Sequence, residues 1–391
     1  MRPGMSHLRP SQPAADLICL SHLRWNFVFQ RPQHLLTRCA RERRCFYVEE
    51  PLYDAESAPW LDVSRCGEVI VAVPHLPPNA QPDAVAVQRG LIDQLISRER
   101  IESYVLWYYT PMALAFTDHL QPQAVVFDCM DELSAFANAP AALKEYEEEL
   151  LRRAAVVFTG GQSLYEAKKD KHANVHAFPS SVDVKHFAQA RHIVADPADQ
   201  EAIPRPRLGF FGVIDERMDI DLVRGIAAAR PEWHIVLVGP VVKIDPAILP
   251  RRSNIHYLGA KSYGQLPHYI AGWDVALLPF ARNESTKFIS PTKTPEYMAA
   301  GKPVVSTSIR DVVRPYGQLG LVRIADRVDD FVRACEAAMD EEATARLRDA
   351  DAFLRQTSWD GTWAQMRRLI DMAITQRTGR PQSADALAAE A

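Results

Sequence analysis

The sequence predicts an α/β protein with two domains, each built on a parallel β-sheet with helices on both faces. The chain has 391 residues, which exceeds the roughly 100 to 200 residues of an ordinary domain. Short apolar runs alternate with amphipathic stretches along most of it, as they do where the strands of a parallel sheet alternate with helices. A polar segment at 190–206 carries three prolines and interrupts this alternation, so we expect it to link the two domains.

The first part of the chain, residues 1–189, predicts a Rossmann-like domain. Its apolar runs predict seven strands, at 16–21, 45–48, 69–73, 104–108, 124–127, 155–159 and 175–178. Amphipathic stretches between the strands predict helices. One is at 143–153, and another is at 32–43, where Leu35, Leu36 and Cys39 share one face.

The second part, residues 207–358, repeats this architecture without repeating the sequence. Six apolar runs predict its strands, at 208–213, 234–238, 255–258, 275–278, 304–307 and 321–324. The pattern then becomes helical at 331–339, 343–354 and 362–375. Two domains of this kind are expected to face each other across a cleft.

The last helix, within 359–375, is expected to cross back and pack on the first domain. It has more apolar surface than a helix ending in solvent needs, and this surface comes from Trp359, Trp363, Met366, Leu369 and Ile370. Such a crossing would let the two domains close over a substrate. The tail at 376–391 is rich in Ala, Ser, Arg and Gln, and we expect it to be disordered.

Composition excludes several classes of protein. The formal net charge of -4 gives no positive field that would hold nucleic acid. The six cysteines have no CxxC pair and no regular spacing, which favours buried thiols in a reducing compartment over disulfides or zinc ligands.

Neither a leader nor a membrane span is expected. Residues 1–15 lack the apolar run of a signal peptide, and no uncharged stretch of the chain approaches the roughly 20 residues of a membrane span. We therefore expect a cytoplasmic protein. Arg38, Arg41, Arg43 and Arg44 form a basic run that would allow peripheral contact with the inner membrane face if the acceptor were lipid-linked; alternatively, the run is a solvated helix face.

The segment 290–301 predicts a short helix before a strand. Thr294 suits the N-cap, Pro295 the first helical position and Gly301 the C-terminal end. The N-terminus of such a helix offers free backbone N–H groups to an anion such as a diphosphate. An ordinary capped helix with no ligand explains the same pattern.

Several side chains of this segment would assist donor binding. Glu296 lies one turn inside the helix, where it can bind a ribose diol through two charge-assisted hydrogen bonds. Hydroxyl groups and one ammonium group stand near the predicted anion site. The residues assigned to donor binding here are Ser290, Pro291, Thr292, Lys293, Thr294 and Glu296.

This segment and three others resemble bacterial glycosyltransferases of the GT-B fold that are similar to family four. The runs that carry the resemblance are 182–187, 254–259, 266–279 and 292–307. Residues 21–25 and 30–34 resemble a subset of these enzymes from polysaccharide and cell-envelope gene contexts. The resemblance implies a hexosyltransferase that uses a nucleotide-diphosphate sugar as co-substrate, with no separate cofactor, and a saccharide or lipid-linked acceptor.

Two departures from the family pattern keep other functions open. The family places a carboxylate eight residues before Glu296, but this chain has Phe288 there, and Glu284 lies four residues too early to replace it. The loop after the first strand of the second domain is acidic, and of its residues only Arg217 suits a diphosphate. A nucleotide-sugar epimerase and a non-catalytic glycosyltransferase-like binding subunit are therefore alternatives.

Candidate catalytic residues follow strands of the first domain. His22, Arg24 and Trp25 come directly after the first strand, at the sheet edge where ligands of open α/β sheets bind. Packing of Trp25 with a solvated Arg24 is the alternative. Asp128 and Asp131 follow another strand, and either can act as a general base towards an acceptor hydroxyl, or can cap the next helix.

Further residues are assigned to the cleft on position alone. Arg31 and Gly161 are expected on its first-domain wall, and Gly212, Arg217 and Lys287 at the donor diphosphate, although an exposed loop lysine is an equal alternative for Lys287.

Activity without a metal ion is expected. No Asp-x-Asp pair follows a strand beside the diphosphate site, and Asp219 and Asp221 fall on a helix, about 200° apart around it.

Overall fold

The computed structural model of the chain describes residues 15–136 and 139–378. The first domain contains a sheet of eight strands in the order β3-β4-β2-β1-β5-β6-β7-β8. All neighbours are parallel except β3 and β4. The strands are β1 (Asp16–Leu20), β2 (Cys45–Val48), β3 (Trp60–Cys66), β4 (Val69–His75), β5 (Tyr104–Tyr108), β6 (Ala124–Cys129), β7 (Val156–Thr159) and β8 (Val175–Ala177).

Helices cover both faces of this sheet. They are α1 (Arg31–Cys39), α2 (Ala84–Arg98), α3 (Leu114–Thr117), α4 (Leu143–Arg153) and α5 (Gln162–Lys168). The central strands are buried along their whole length, which explains their continuous apolar sequences. The seven strands predicted here all occur, but β3 was missed. It is an edge strand that buries only one side, through Leu61 and Val63, so its sequence is largely polar.

The second domain contains six parallel strands in the order β11-β10-β9-β12-β13-β14. The strands are β9 (Arg207–Phe211), β10 (His234–Val238), β11 (Ile255–Gly259), β12 (Val275–Leu278), β13 (Val304–Ser306) and β14 (Arg323–Ile324). The helices from residue 184 to residue 354 are α6 (Val184–Ala188), α7 (Ala198–Glu201), α8 (Ile220–Ala229), α9 (Leu266–Ala271), α10 (Lys293–Ala299), α11 (Arg310–Val312), α12 (Val328–Met339) and α13 (Ala343–Leu354). The prediction of two α/β domains is confirmed.

The segment predicted as a linker, 190–206, packs against the second domain. Ala190 and Ile203 are buried in that domain's core, and Arg207 forms an ion pair of 2.7 Å with Asp196. Gln200 is buried and donates a hydrogen bond of 3.0 Å to the carbonyl of Tyr269. The segment is polar in sequence, but polar side chains such as Asp196 and Gln200 bond to the second domain.

Helix α14 (Trp359–Thr378) returns to the first domain. Its apolar face is buried beside strands β1, β5 and β7, in one cluster with Leu17, Trp107 and Phe158. The helix extends to residue 378, so residues 376–378 are helical, although we predicted disorder from 376. The rest of the predicted tail and residues 1–14 lie outside the described residues.

The basic run at the end of helix α1 and in the turn after it is paired with acidic groups of the same chain. Arg38 bonds to Asp360 at 2.9 Å, and Arg43 lies 3.6 Å from Asp371, so both bind helix α14. Arg41 also faces Asp360, and Arg44 pairs with Asp16. These contacts hold α14 in place and occupy the charges that we had considered for a membrane surface. Within the described chain, no helix is both long and apolar enough to cross a membrane.

Candidate functional site

A cavity of about 430 Å³ lies between the two domains, where the carboxyl ends of both sheets face each other. Trp25, Arg31 and Asp131 line it from the first domain. From the second domain come Gly212, Arg217, Glu296 and residues 289–293. Open α/β sheets bind ligands at this edge, so the cavity is the candidate site.

Helix α10 presents its first turn to this cavity. It begins at Lys293, with Thr292 as N-cap, so our assignment of Thr294 as N-cap is wrong by two residues. The N–H of Thr294 already donates to the carbonyl of Pro291, and the Thr294 hydroxyl is buried without a partner. Pro295 still lies within the first turn, where its missing N–H costs nothing.

Glu296 is buried at the cavity wall. Only 5% of the residue is exposed, and its Oε2 has no hydrogen-bond partner in the described structure. Burial raises the pKa of Glu296 to about 7, while the ammonium of Lys293 opposes that rise. A buried carboxylate oxygen without a partner is costly, and a ligand hydroxyl would relieve this cost.

Lys293 lies beside Glu296 and over the end of strand β9. Its Nζ is 5.7 Å from the ring centre of Phe210 and 5.9 Å from that of Phe211. Desolvation lowers the pKa of Lys293 to about 8, and Glu296 opposes this change. Gly212 makes room for the lysine, because a Cβ at that position would stand 2.2 Å from its Cε, and the backbone there has a φ of +133°, which favours glycine.

Arg217 follows strand β9 and is held by Asp215. The Nη2–Oδ2 distance is 2.7 Å, and Nε lies 3.0 Å from Oδ1. The guanidinium therefore stands at the cavity in a fixed orientation, and its contact with a donor diphosphate stays a prediction. The acidic residue Asp215 positions this cation.

Lys287 lies away from the cavity lining. Its side chain is 56% exposed and is 3.5 Å from Glu284. The neighbouring Phe288, which stands where the family has a carboxylate, packs against the core of the first domain. An apolar contact between the domains thus replaces a charged group of the donor site.

Of the three candidate residues after strand β1, only Trp25 lines the cavity. Trp25 lines the cavity and packs against Tyr47, with ring centres 4.9 Å apart. Arg24 instead bonds to Glu49 at 3.0 Å. His22 is outside the cavity lining, and burial lowers its pKa to about 4, which disfavours a charged imidazole there.

Of the two aspartates proposed as a base, only Asp131 lines the cavity. Burial raises the pKa of Asp131, and Arg217 opposes this rise. Asp128 is fully buried, and both of its carboxylate oxygens accept hydrogen bonds from Arg31, at 3.0 and 2.8 Å. The structure places Asp128 in an internal ion pair and not at a reacting hydroxyl, because β6 extends two residues further than predicted and carries it into the sheet.

Gly161 lies at a contact between the domains. A Cβ there would be 2.1 Å from Oδ2 of Asp311, whose Oδ1 accepts a hydrogen bond of 3.0 Å from the backbone N–H of Ser163. On the same side of the cleft, the hydroxyl of Ser180 donates to the carbonyl of Ser290 at 2.8 Å. No sequence pattern marks Asp311 or Ser180, because both contacts depend on how the domains meet.

The sequence analysis also missed a cluster of stacked rings at the cavity, formed by Phe29, His186 and Tyr263. The ring of Tyr263 stacks between Phe29 of the first domain, at 4.5 Å, and His186, at 4.1 Å. Gly239 directly follows strand β10 and has a φ of +150°, and Gly212 directly follows β9. A glycine after each of two neighbouring strands could have identified both as residues of the cavity wall.

The two aspartates of the Asp-x-Asp pair in the second domain, Asp219 and Asp221, bond to groups of helix α8. Asp219 caps helix α8 by accepting the N–H of Leu222 at 2.8 Å, and Asp221 pairs with Arg224. Across residues 15–136 and 139–378, no group of three or more His, Cys, Asp or Glu side chains is placed to hold a metal ion. The metal-free reaction stays a prediction.

Comparisons with known proteins agree with this architecture. Residues 205–341 match the family model for glycosyl transferases, group 1. A protein of Bacillus subtilis (strain 168), named "Putative teichuronic acid biosynthesis glycosyltransferase TuaH", is 23% identical over 291 residues, which cover 68% of this chain and 72% of that protein.

Solved structures share the fold over nearly the whole chain. Sucrose-phosphate synthase from Thermosynechococcus elongatus has a TM-score of 0.72 and 14% identity, covering 93% of this chain and 100% of that one. An α,α-trehalose-phosphate synthase (UDP-forming) from Burkholderia xenovorans, in complex with glucose-6-phosphate, has a TM-score of 0.67 and 14% identity, covering 91% and 100%. The resemblance inferred from sequence is confirmed: the chain has the GT-B fold, and its second domain matches the family model for glycosyl transferases, group 1.

Proposed function

We propose that the protein transfers a sugar from a nucleotide-diphosphate sugar to a hydroxyl of a saccharide or lipid-linked acceptor, in the synthesis of a polysaccharide or cell-envelope glycan. The observation that carries the proposal is the buried carboxylate of Glu296, a residue that lines the cavity, has one oxygen without a hydrogen-bond partner among the described residues and has Lys293 beside it. The name of the Bacillus relative supports a polysaccharide product. The glucose-6-phosphate complex of a trehalose-phosphate synthase supports a saccharide acceptor.

In this proposal the second domain binds the donor. Glu296 accepts hydrogen bonds from the ribose hydroxyls, and Lys293 and Arg217 face the diphosphate. Ser290 and Thr292 line the same part of the cavity. As the bond between the sugar and the diphosphate breaks, negative charge grows on the leaving phosphate, and the two fixed cations stabilise it.

The first domain presents the acceptor. Asp131 lines the cavity opposite the donor residues, and its raised pKa suits a group that takes the proton of the attacking hydroxyl. The acceptor oxygen forms the new bond to the sugar carbon, the diphosphate leaves with the bonding electron pair, and the proton passes to Asp131. Trp25 and Arg31 form the wall behind this position.

Incubation with radiolabelled UDP-, GDP- and dTDP-sugars tests the proposal. Transfer to an acceptor, or slow release of free sugar, supports a transferase. An isomerised sugar nucleotide would instead favour the epimerase, and binding without turnover would favour a non-catalytic subunit.

Activity in this assay is expected to be unchanged by EDTA. The positive charge for the diphosphate comes from Lys293, which has no carboxylate within 4 Å among the described residues, and from Arg217. Initial rates measured with and without millimolar EDTA test whether a metal ion takes part. A loss of activity that Mg²⁺ or Mn²⁺ restores would show that a metal ion takes part.

We also propose a cytoplasmic location. The described cysteines are all free, and five of the six are buried, which suits a reducing compartment. Contact with the inner membrane face would need a surface other than the arginine run 38–44, whose charges are paired internally.

A further inference from the structure

Lys243 reaches across the cleft from the second domain. It lies in the loop after strand β10, which runs beside the loop after β9 through a bridge between Ile214 and Val241. The N–H of Val242 donates to the carbonyl of Ile214 at 3.1 Å. Lys243 itself has a φ of +62°, a left-handed conformation that non-glycine residues rarely adopt and that often marks functional sites.

The side chain of Lys243 meets the acceptor side of the cleft. Its Nζ is 5.8 Å from the ring centre of Phe136 in the first domain, and the guanidinium carbon of Arg217 is at the same distance from that ring. Its charge also acts on three groups of the first domain. Burial and then Lys243 lower the pKa of His22. Burial raises the pKa values of Asp131 and Glu50, and Lys243 opposes both rises more weakly than Arg217 opposes the first and Arg24 the second. The pKa of Glu296, on the donor side, responds to burial and to Lys293 but not to Lys243.

This ammonium group makes no direct ion pair in the described structure. Lys243 is exposed, and among the described residues its Nζ has no hydrogen-bond acceptor and no carboxylate within 4 Å, so Glu50 and Asp131 act on it only at longer range. Arg217, by contrast, pairs directly with Asp215 at 2.7 Å. The acceptor side of the cleft therefore holds a positive charge that is open to a direct ion pair, next to an aromatic ring and the proposed base.

We propose that Lys243 binds an anionic substituent, a carboxylate or a phosphate, of the acceptor sugar. This inference rests on the proposed function, because it concerns the acceptor of the same reaction. Phe136 supplies apolar surface to the sugar, and the ion pair with Lys243 orients the acceptor so that its hydroxyl meets Asp131. Lys243 is thus a specificity residue that selects acidic acceptors over neutral ones.

The test is a binding comparison of three probes. Glucose, glucuronate and glucose 6-phosphate are titrated by ligand-observed NMR into the full chain saturated with UDP. At least one of the two anions is expected to bind about tenfold more tightly than glucose, and the two together distinguish a carboxylate from a phosphate site. Lys243→Met should remove this preference, whereas Lys171→Met, at an exposed lysine of the first domain, should leave it intact.

Three results would overturn the proposal: equal affinity of wild type for glucose and both anions, no binding of either anion, or a preference that survives Lys243→Met. Unchanged UDP affinity and an unchanged thermal midpoint confirm that the variant is folded. Failure of the proposed function would appear separately, as wild-type protein that neither transfers nor hydrolyses any nucleotide sugar.

Discussion

Glu296→Ala is expected to weaken binding of the nucleotide sugar by about 1.5 to 3 kcal/mol, roughly 10- to 100-fold, which is the contribution of hydrogen bonds to a charged group. The carboxylate is buried, one of its oxygens has no partner in the described structure, and Glu296 lines the cavity. Two ribose hydroxyls would supply the missing donors. The alanine variant loses both bonds, and it leaves Lys293 without its nearby negative charge.

The effect is expected to depend on pH. The pKa of Glu296 is raised to about 7, so in the free protein the carboxylate is mostly ionised at pH 8 and mostly protonated at pH 6. Only the ionised form accepts both hydrogen bonds, so protonation of Glu296 lowers affinity about tenfold as the pH falls between these values. Lys293, whose pKa is about 8, gains charge over the same range and restores about twofold, so the net fall is about fivefold. A nucleotide-diphosphate sugar has no phosphate group that titrates in this range, so the change reports on the protein.

Isothermal calorimetry with UDP-glucose, GDP-mannose and dTDP-glucose measures both effects. Glu296→Gln should bind weakly, with a flatter pH profile than wild type, because an amide cannot ionise. Glu284→Gln is the control, since that side chain is 78% exposed and pairs only with Lys287. Unchanged affinity in a folded Glu296→Ala protein would remove this residue from the donor site.

The donor segment could be recognised from sequence because its signals are local. A proline, a terminal glycine and a glutamate one turn inside a helix lie within 12 residues of chain, at 290–301. The start of α10 was misplaced by two residues, because the turn at Pro291 already has helical geometry. Local patterns place a helix well, but its first residue less well.

The rest of the site depends on how the domains meet. Tyr263, Asp311 and Lys243 are ordinary loop residues in sequence, and each gains its role from a partner more than 100 residues away. Strand β3 was missed for a related reason. It is polar in sequence, and only its tertiary packing shows which side chains it buries. The packing of segment 190–206 on the second domain was not visible in its sequence for the same reason.

Phe288 shows how a departure in sequence is accommodated in the fold. A carboxylate at this position would face the core of the first domain, where an unpaired charge is strongly disfavoured. Phenylalanine instead adds apolar contact between the domains. The charge that the family has there is absent, and Lys293 and Arg217 remain the cations beside the donor site.

The largest effect on stability is expected for Arg31→Met, at about 3 to 5 kcal/mol, because it leaves a fully buried carboxylate without its partner. Arg31 is 3% exposed and Asp128 is not exposed at all. Arg31 also donates to the carbonyl of Phe178 at 2.8 Å, so one guanidinium joins strand β6 to the chain after β8. The midpoint of urea unfolding measures the loss.

A double variant separates this structural role from a catalytic one. If Asp128 serves only the ion pair, Arg31→Met with Asp128→Leu should recover much of the lost stability, since it removes the unpaired charge together with its partner. Arg41→Met, which breaks an ion pair whose two side chains are 66% and 69% exposed, should cost less than about 1 kcal/mol. Asp128→Asn lowers the midpoint in either case, because it breaks the buried ion pair, so the pH–rate profile decides. If Asp128 were the base, the variant would lose the ascending limb of this profile. If Asp128 serves only the ion pair, the variant keeps that limb, because Asp131 still accepts the proton.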